Sequence, residues 1–212
     1  MSDEKDPSLE AAYNLSTPDD SKALYRDWAG TYDQDFAERS GYRFPALIAE
    51  AYLAAGGAWP ALDVGCGTGL IARHLPKEAV LDGIDISPEM LAQASAKDRY
   101  RTLIEADLTQ PLALETASYA GMLSSGTFTH GHVGPEALHE LIRLLRPNAI
   151  CAVAGNREFY RKAGFAEVFS KLAEDGAITP VEIREERIYE EGASPPEGHE
   201  DDIGLVVTFR RL

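Results

Sequence analysis

Gly65, Gly67 and Gly69 alternate with Cys66 and Thr68 in the run Leu62-Asp63-Val64-Gly65-Cys66-Gly67-Thr68-Gly69-Leu70. Glycines at alternate positions let the backbone take φ > 0 and remove the Cβ atoms that would hold a ligand away. About twenty residues further on, Asp85 closes the apolar run Val80 to Ile86. A carboxylate so placed can accept hydrogen bonds from the two adjacent hydroxyls of a ribose. A helix starting near Gly69 would bring unpaired N–H groups to the same point. Strand, glycine loop, helix-compatible segment (Leu70 to Leu75) and acid at the next strand end make up a nucleotide-binding βαβ unit. A dinucleotide loop wants glycine at its first, third and sixth positions. The sixth position here is Leu70, which disfavours an NAD-dependent oxidoreductase.

These residues need a scaffold, and the pattern around them supplies one. Strand one spans Ala61 to Val64. A helix from about Gly69 to Leu75 is cut off by Pro76, and strand two spans Val80 to Asp85. Ser87-Pro88-Glu89 starts a helix with a capping hydroxyl and proline at the first helical position; Met90, Leu91 and Ala94 share its apolar face. Strand three is Arg101 to Glu105 and strand four Tyr119 to Ser124. Gly134-Pro135-Glu136 opens a helix whose Leu138, Leu141, Ile142 and Leu145 fall at helical spacing, ended by Pro147. Strand five is Ala149 to Ala154, apolar throughout like a central parallel strand. A helical stretch from Glu158 to Glu174 holds Gly164 inside it and stops at Gly176. Val181 to Tyr189 and Ile203 to Arg210 then read as two strands, joined by the acidic linker Glu190 to Asp202. Five β/α steps and a closing strand pair predict an α/β fold: a doubly wound, mostly parallel sheet with a terminal antiparallel hairpin. Ahead of it, residues 1–17 are polar and are expected to be a disordered tail. Residues 18–57 form a helical block (Lys22 to Trp28, Tyr32 to Arg39, Pro45 to Ala55), and 58–212 the ligand-binding domain.

Composition narrows the partners. The chain has 212 residues, enough for one domain with a full core. Its formal net charge is −15, which argues against nucleic acid and against anionic membrane surfaces. A small neutral or cationic partner suits this field; equally, the acid excess serves only solubility. Cys66 and Cys151 stand far apart, with no spacing that suggests a metal site, redox pair or disulfide framework. The polar start is unlike a signal peptide and no apolar run reaches membrane-spanning length, so a cytoplasmic location is expected. The pattern indicates no oligomeric state.

The glycine loop, Tyr25-Arg26-Asp27-Trp28-Ala29-Gly30-Thr31-Tyr32-Asp33, Gly83-Ile84-Asp85-Ile86-Ser87, Ala106-Asp107-Leu108 and Ser124-Ser125-Gly126-Thr127-Phe128-Thr129-His130-Gly131-His132-Val133 are shared motifs. Through them residues 22–212 resemble class I S-adenosylmethionine (SAM)-dependent methyltransferases, and among these the Williams–Beuren-region methyltransferase-like family. The resemblance implies a Rossmann-like sheet of seven strands with the last reversed, an N-terminal helical lid, SAM as cofactor and S-adenosylhomocysteine as product. It implies that Gly65, Cys66, Gly67 and Gly69 form the floor under the methionine portion, and that Asp63 anchors the network around the amino group. Asp85 would hold the ribose, Ile86 would pack on adenine, and Asp107 with the Leu108 N–H would meet the adenine edge. Ser124 would contact the cofactor through its backbone. Tyr25 would bind the carboxylate while Trp28 and Tyr32 wall the sulfonium; their spacing fits a stripe packed on the sheet domain equally well. Asp107 also reads as a turn cap. His130 and His132 have the pKa range of a general base, and also read as loop or capping residues before Pro135. The family's aromatic–Asp pair at strand four is Tyr119-Ala120 here, and its Pro-Gly-Gly turn is Pro147-Asn148-Ala149, where asparagine tolerates φ > 0.

The implied activity is methyl transfer to a small-molecule acceptor by direct displacement. The alternative is a non-catalytic SAM-binding sensor, which would keep Gly65, Gly67 and Asp85 but need no acceptor pocket.

Overall fold

Apolar runs become most of the strands, the first closed by Gly65 and the second ending on Asp85. The computed structural model describes residues 24, 26, 28–128, 133–195 and 198–212. Its strands are β1 (Ala61–Val64), β2 (Leu81–Asp85), β3 (Thr102–Glu105), β4 (Tyr119–Phe128), β5 (Leu145–Asn156), β6 (Glu182–Arg187) and β7 (Ile203–Arg210). They form one seven-stranded sheet in the order β3-β2-β1-β4-β5-β7-β6. β1 to β5 run parallel, and β7 is antiparallel to both of its neighbours, β5 and β6. The winding reverses between β1 and β4, which opens a crevice outside the carboxyl ends of those strands.

Helices cover both faces: α1 (Phe44–Ala54) on one side, and α3 (Ala137–Arg143), α4 (Arg157–Lys162) and α5 (Phe165–Glu174) on the other, with α2 (Pro88–Ser95) following β2. Strand alternation divides the core. Leu62, Met122, Cys151 and Val207 point to the α3–α5 face, while Ala61, Leu123, Ala152 and Val206 point to the α1 face. The start predicted for α2 is present: the Ser87 hydroxyl accepts the Met90 N–H at 3.2 Å.

Several boundaries differ from the sequence reading. The helix predicted over Gly69 to Leu75 is one 3₁₀ turn, Ile71–His74. Three left-handed glycines precede it, and Pro76 forces Leu75 into extended backbone. The Tyr32 to Arg39 helix is π-helical over Asp33–Glu38. The stretch from Glu158 to Glu174 is two helices, because Gly164 takes φ 80° at the N-cap of α5. β4 and β5 are longer than predicted, and Leu145 opens a strand instead of closing a helix. The pairing register jumps between Tyr119↔Leu145 and Gly121↔Ile150, and Asn148 in this bulge sits at φ 68°. The edge strand β6 is shorter than expected and nearly all charged, which discourages further strand pairing. Among the described residues, no helix is long and apolar enough to cross a membrane.

β4 has little room opposite α1. The fully buried Tyr52 donates its hydroxyl to the Ala58 carbonyl and lies against Gly121, where an added Cβ would stand 1.8 Å from the hydroxyl oxygen. Gly121→Ala is therefore expected to destabilise the protein by about 1–3 kcal/mol. Urea denaturation should show a lower midpoint with an unchanged m-value.

Candidate functional site

β1 and β2 end side by side, and the glycine loop folds across their ends. Gly65, Gly67 and Gly69 all take left-handed backbone, at φ 62°, 52° and 85°. The Cys66 N–H donates to the Ile84 carbonyl at 3.0 Å, and the Gly67 N–H to Asp85 Oδ2 at 2.8 Å. The Ser87 N–H takes the other oxygen of Asp85 at 2.9 Å. The carboxylate is thus aimed by two backbone donors and keeps lone pairs for a ligand. At Gly65 a Cβ would collide with the Thr127 hydroxyl, 1.9 Å away; at Gly67 it would meet nothing within 4 Å. One glycine lets β4 close under the loop, and the next leaves bare backbone facing open space.

That space is a cleft of about 900 Å³, counting the volume open to solvent at its mouth. Its walls are the loop, Asp85, Ile86 and Met90 on one side and Asp107 to Thr109 beyond them. Ser125 to Thr127, Val133, Tyr32 and Tyr42 complete it. Beneath the loop, Asp63 is 1% exposed. Its Oδ2 accepts the Tyr100 hydroxyl at 2.7 Å, and its Oδ1 finds no partner among the described residues. Burial pushes the Asp63 carboxyl up to about 7, with the Tyr100 hydrogen bond opposing and the Asp85 charge adding to the rise. Burial also raises Asp85, against the Ser87 and Gly67 N–H groups. Cys66, buried beside both acids, is pushed well above the ordinary thiol range and stays protonated. Buried Asp63, with one oxygen unpartnered among the described residues, and half-buried Asp85 make a place where a cationic group would be stabilised.

Of the residues predicted for the site, Tyr32, Gly65, Cys66, Gly67, Asp85, Ile86, Asp107 and Leu108 line this cleft together. Asp63 and Ser124 lie under it, and the Ser124 hydroxyl donates to the Val64 carbonyl at 2.8 Å. Gly69 faces the Tyr100 ring instead, with a Cβ position 2.8 Å from it. Trp28 is buried in the α1-side core, edge-on to Tyr32 at 5.0 Å between ring centres. Asp107 lines the cleft and also caps its own turn, accepting the Thr109 N–H at 2.8 Å. Tyr25, His130 and His132 lie outside the described residues. Sequence reasoning assigned no role to Tyr42, Thr68, Met90, Thr109, Gly126 or Thr127, all on the cleft wall. Gly126 and Thr127 fall inside a motif already singled out. Tyr42 gave no signal, because its hydroxyl reaches the Ser125 carbonyl (2.5 Å) across 83 residues of chain.

The family described as "Methyltransferase domain" matches residues 62–153, which span β1 to β5. The [4+2]-cyclase SpnF superimposes with a TM-score of 0.66 at 18% identity, covering 93% of this chain and 97% of that one. A SAM-dependent methyltransferase from Aquifex aeolicus gives 0.58 at 16% identity, covering 87% and 97%. This is the class I SAM-dependent methyltransferase fold. Human Methyltransferase-like protein 27 is 36% identical over 140 residues, 63% of this chain and 57% of that protein. The chain thus spans a little over half the length of that relative. The class I fold also carries the cyclase, so the reaction must be argued from the site and not from the topology.

The buried acids also carry a stability signature. The folded value of Asp63, about 7, lies above its ordinary 3.8, so folding favours the neutral acid. Its contribution is complete below about pH 4 and is lost as pH rises through about 7; Asp85 acts in the same direction. The thermal midpoint of the unliganded protein should therefore fall between about pH 4 and about pH 7, and Asp63→Asn should flatten that fall in a calorimetric pH series.

Proposed function

We propose that this chain is a SAM-dependent methyltransferase acting on a small-molecule acceptor. The observation that carries the reading is the Asp85 carboxylate, held by the Gly67 and Ser87 N–H groups beside backbone that no side chain covers. Such a carboxylate suits a vicinal diol. The orphaned Asp63 Oδ1 suits an ammonium group near the loop, and the two features together fit an amino-acid nucleoside better than a phosphate-bearing one. Ile86, Met90 and Leu108 offer an apolar slot for a base, with Asp107 at its edge. Tyr32 offers an aromatic wall for a sulfonium cation, an interaction of roughly 0.5–2 kcal/mol depending on desolvation.

The bound cofactor supplies an electrophilic methyl group on sulfur. The chain's own task is to align the acceptor with that methyl and to exclude water. The wall formed by Tyr42, Ser125, Gly126, Thr127 and Val133 borders the remaining space and suits the acceptor. His130 and His132 stand between Thr127 and Val133 in the chain. We assign them the removal of the acceptor proton where the nucleophile requires it. Residues 18–57 serve as a lid in this reading, and the Tyr25–Asp33 and Ser124–Val133 motifs support placement near the Williams–Beuren-region family. The net charge of −15 agrees with a cationic cofactor and a non-nucleic acceptor in a cytoplasmic protein.

Titration calorimetry with SAM, S-adenosylhomocysteine and NAD should show binding of the first two and none of the third. Asp85→Ala should weaken SAM by about 10²-fold or more, the worth of two charge-assisted hydrogen bonds; near-normal affinity would refute the ribose assignment. Methyl incorporation from labelled SAM into metabolite extracts identifies the acceptor. His130→Ala should then lower turnover by about 10²-fold with SAM affinity retained, and unchanged turnover would remove His130 as the base.

A further inference from the structure

Asp33 closes the Tyr25–Asp33 motif. Its carboxylate gathers three donors from three separate elements. Oδ1 accepts the Thr68 hydroxyl of the glycine loop. Oδ2 accepts Arg73 Nη2 of the 3₁₀ turn at 2.8 Å and Lys97 Nζ, just beyond α2, at 2.6 Å. Lys97 also donates to the Thr68 carbonyl at 2.5 Å, so the hydroxyl and the carbonyl of Thr68 are tied into one cluster. Ordinary surface ion pairs join flexible, exposed side chains. Here the Asp33 and Lys97 side chains are only 19% and 21% exposed, and Thr68 is 2% exposed. Asp33 opens the π-helical turn, a rare local geometry found often at functional positions. The preceding residue, Tyr32, is a wall of the cleft, as is Thr68.

We infer that Asp33 is a positioning residue of the cofactor site: its carboxylate latches the segment bearing Tyr32 onto Thr68 of the glycine loop, and the latch must open for the cofactor to leave. The inference rests on the cofactor reading proposed above. A ligand lying between Tyr32 and the loop has two of its walls held together while the Asp33–Thr68–Lys97 cluster is intact. Because the closure is partly ionic, added salt weakens it. Asp33 and Lys97 act on the ligand through one shared contact, so removing either should have nearly the effect of removing both.

The test is stopped-flow release of S-adenosylhomocysteine from the full chain. It compares the wild type with Asp33→Asn, Lys97→Met and the double variant, at low and high salt. Thermal midpoints and Trp fluorescence are followed alongside. Wild-type release is expected to quicken with salt. Each single variant should release on the order of tenfold faster, with little further response to salt, and the double variant should be no faster than the singles. A merely structural ion pair would lower the thermal midpoint and leave the release rate and its salt response as they were. Rates within about twofold of wild type, or effects that multiply in the double variant, overturn the latch. If Asp33→Asn does not fold, Lys97→Met alone decides by the same criteria. Failure of the wild type to bind S-adenosylhomocysteine overturns the cofactor reading, and the latch with it. Binding without a change in release overturns the latch alone.

Discussion

The Gly67 N–H donates to the Asp85 carboxylate at 2.8 Å, and this bond ties the turn after β1 to the end of β2. It can form only because the loop is wound through three left-handed residues, a path that side chains would strain. The bond has a partner one residue away, where the Cys66 N–H continues the strand pairing to Ile84. From the other side, the Thr127 and Ser124 hydroxyls both donate to the Val64 carbonyl, at 2.7 and 2.8 Å, and lock β4 against the same loop. Three strand ends thus meet around one bend, and the cleft is the space left above it. The helix N-terminus that would ordinarily help such a loop is reduced to a single 3₁₀ turn. The carboxylates and the bare amides carry the polarity of the site instead.

That polarity is negative. Burial raises the tendency of both Asp63 and Asp85 to stay protonated, and the Asp85 charge adds a smaller rise at Asp63. Such a pair costs stability, because one oxygen of Asp63 has no donor among the described residues. Protein sites keep such a cost where a ligand cancels it. A cationic, phosphate-free nucleoside cancels it; a dinucleotide would add charge of the same sign.

Much of this was readable in the residues before any coordinates. The loop and its acid were legible because their chemistry is local. Glycine spacing and one carboxylate about twenty residues on need no knowledge of packing. The cap at Ser87 and the left-handed turn at Asn148 were legible for the same reason. The extent of the helices was less so. Gly164 and Pro76 act through backbone geometry whose outcome depends on what the neighbouring residues can reach. Least legible were the contacts that close the cleft. Tyr42 meets Ser125 and Asp33 meets Lys97 across 83 and 64 residues of chain. No periodicity announces such meetings, since they arise only when the sheet order brings distant loops to one rim.

Tyr42 also forms an isolated antiparallel bridge with Tyr189, just past β6, and its ring lies 6.4 Å from that residue's ring. A single side chain near the beginning of the fold is therefore clasped by the middle and by the end of the chain. The residues proposed to face the nucleoside stand at the ends of β1, β2 and β3 and in the turns and the helix that follow them. The two halves of the site are in consequence separately mutable. Under the function proposed above, a lineage could remodel the tyrosine clasp and trade one acceptor for another while inheriting the methyl-donor grip intact.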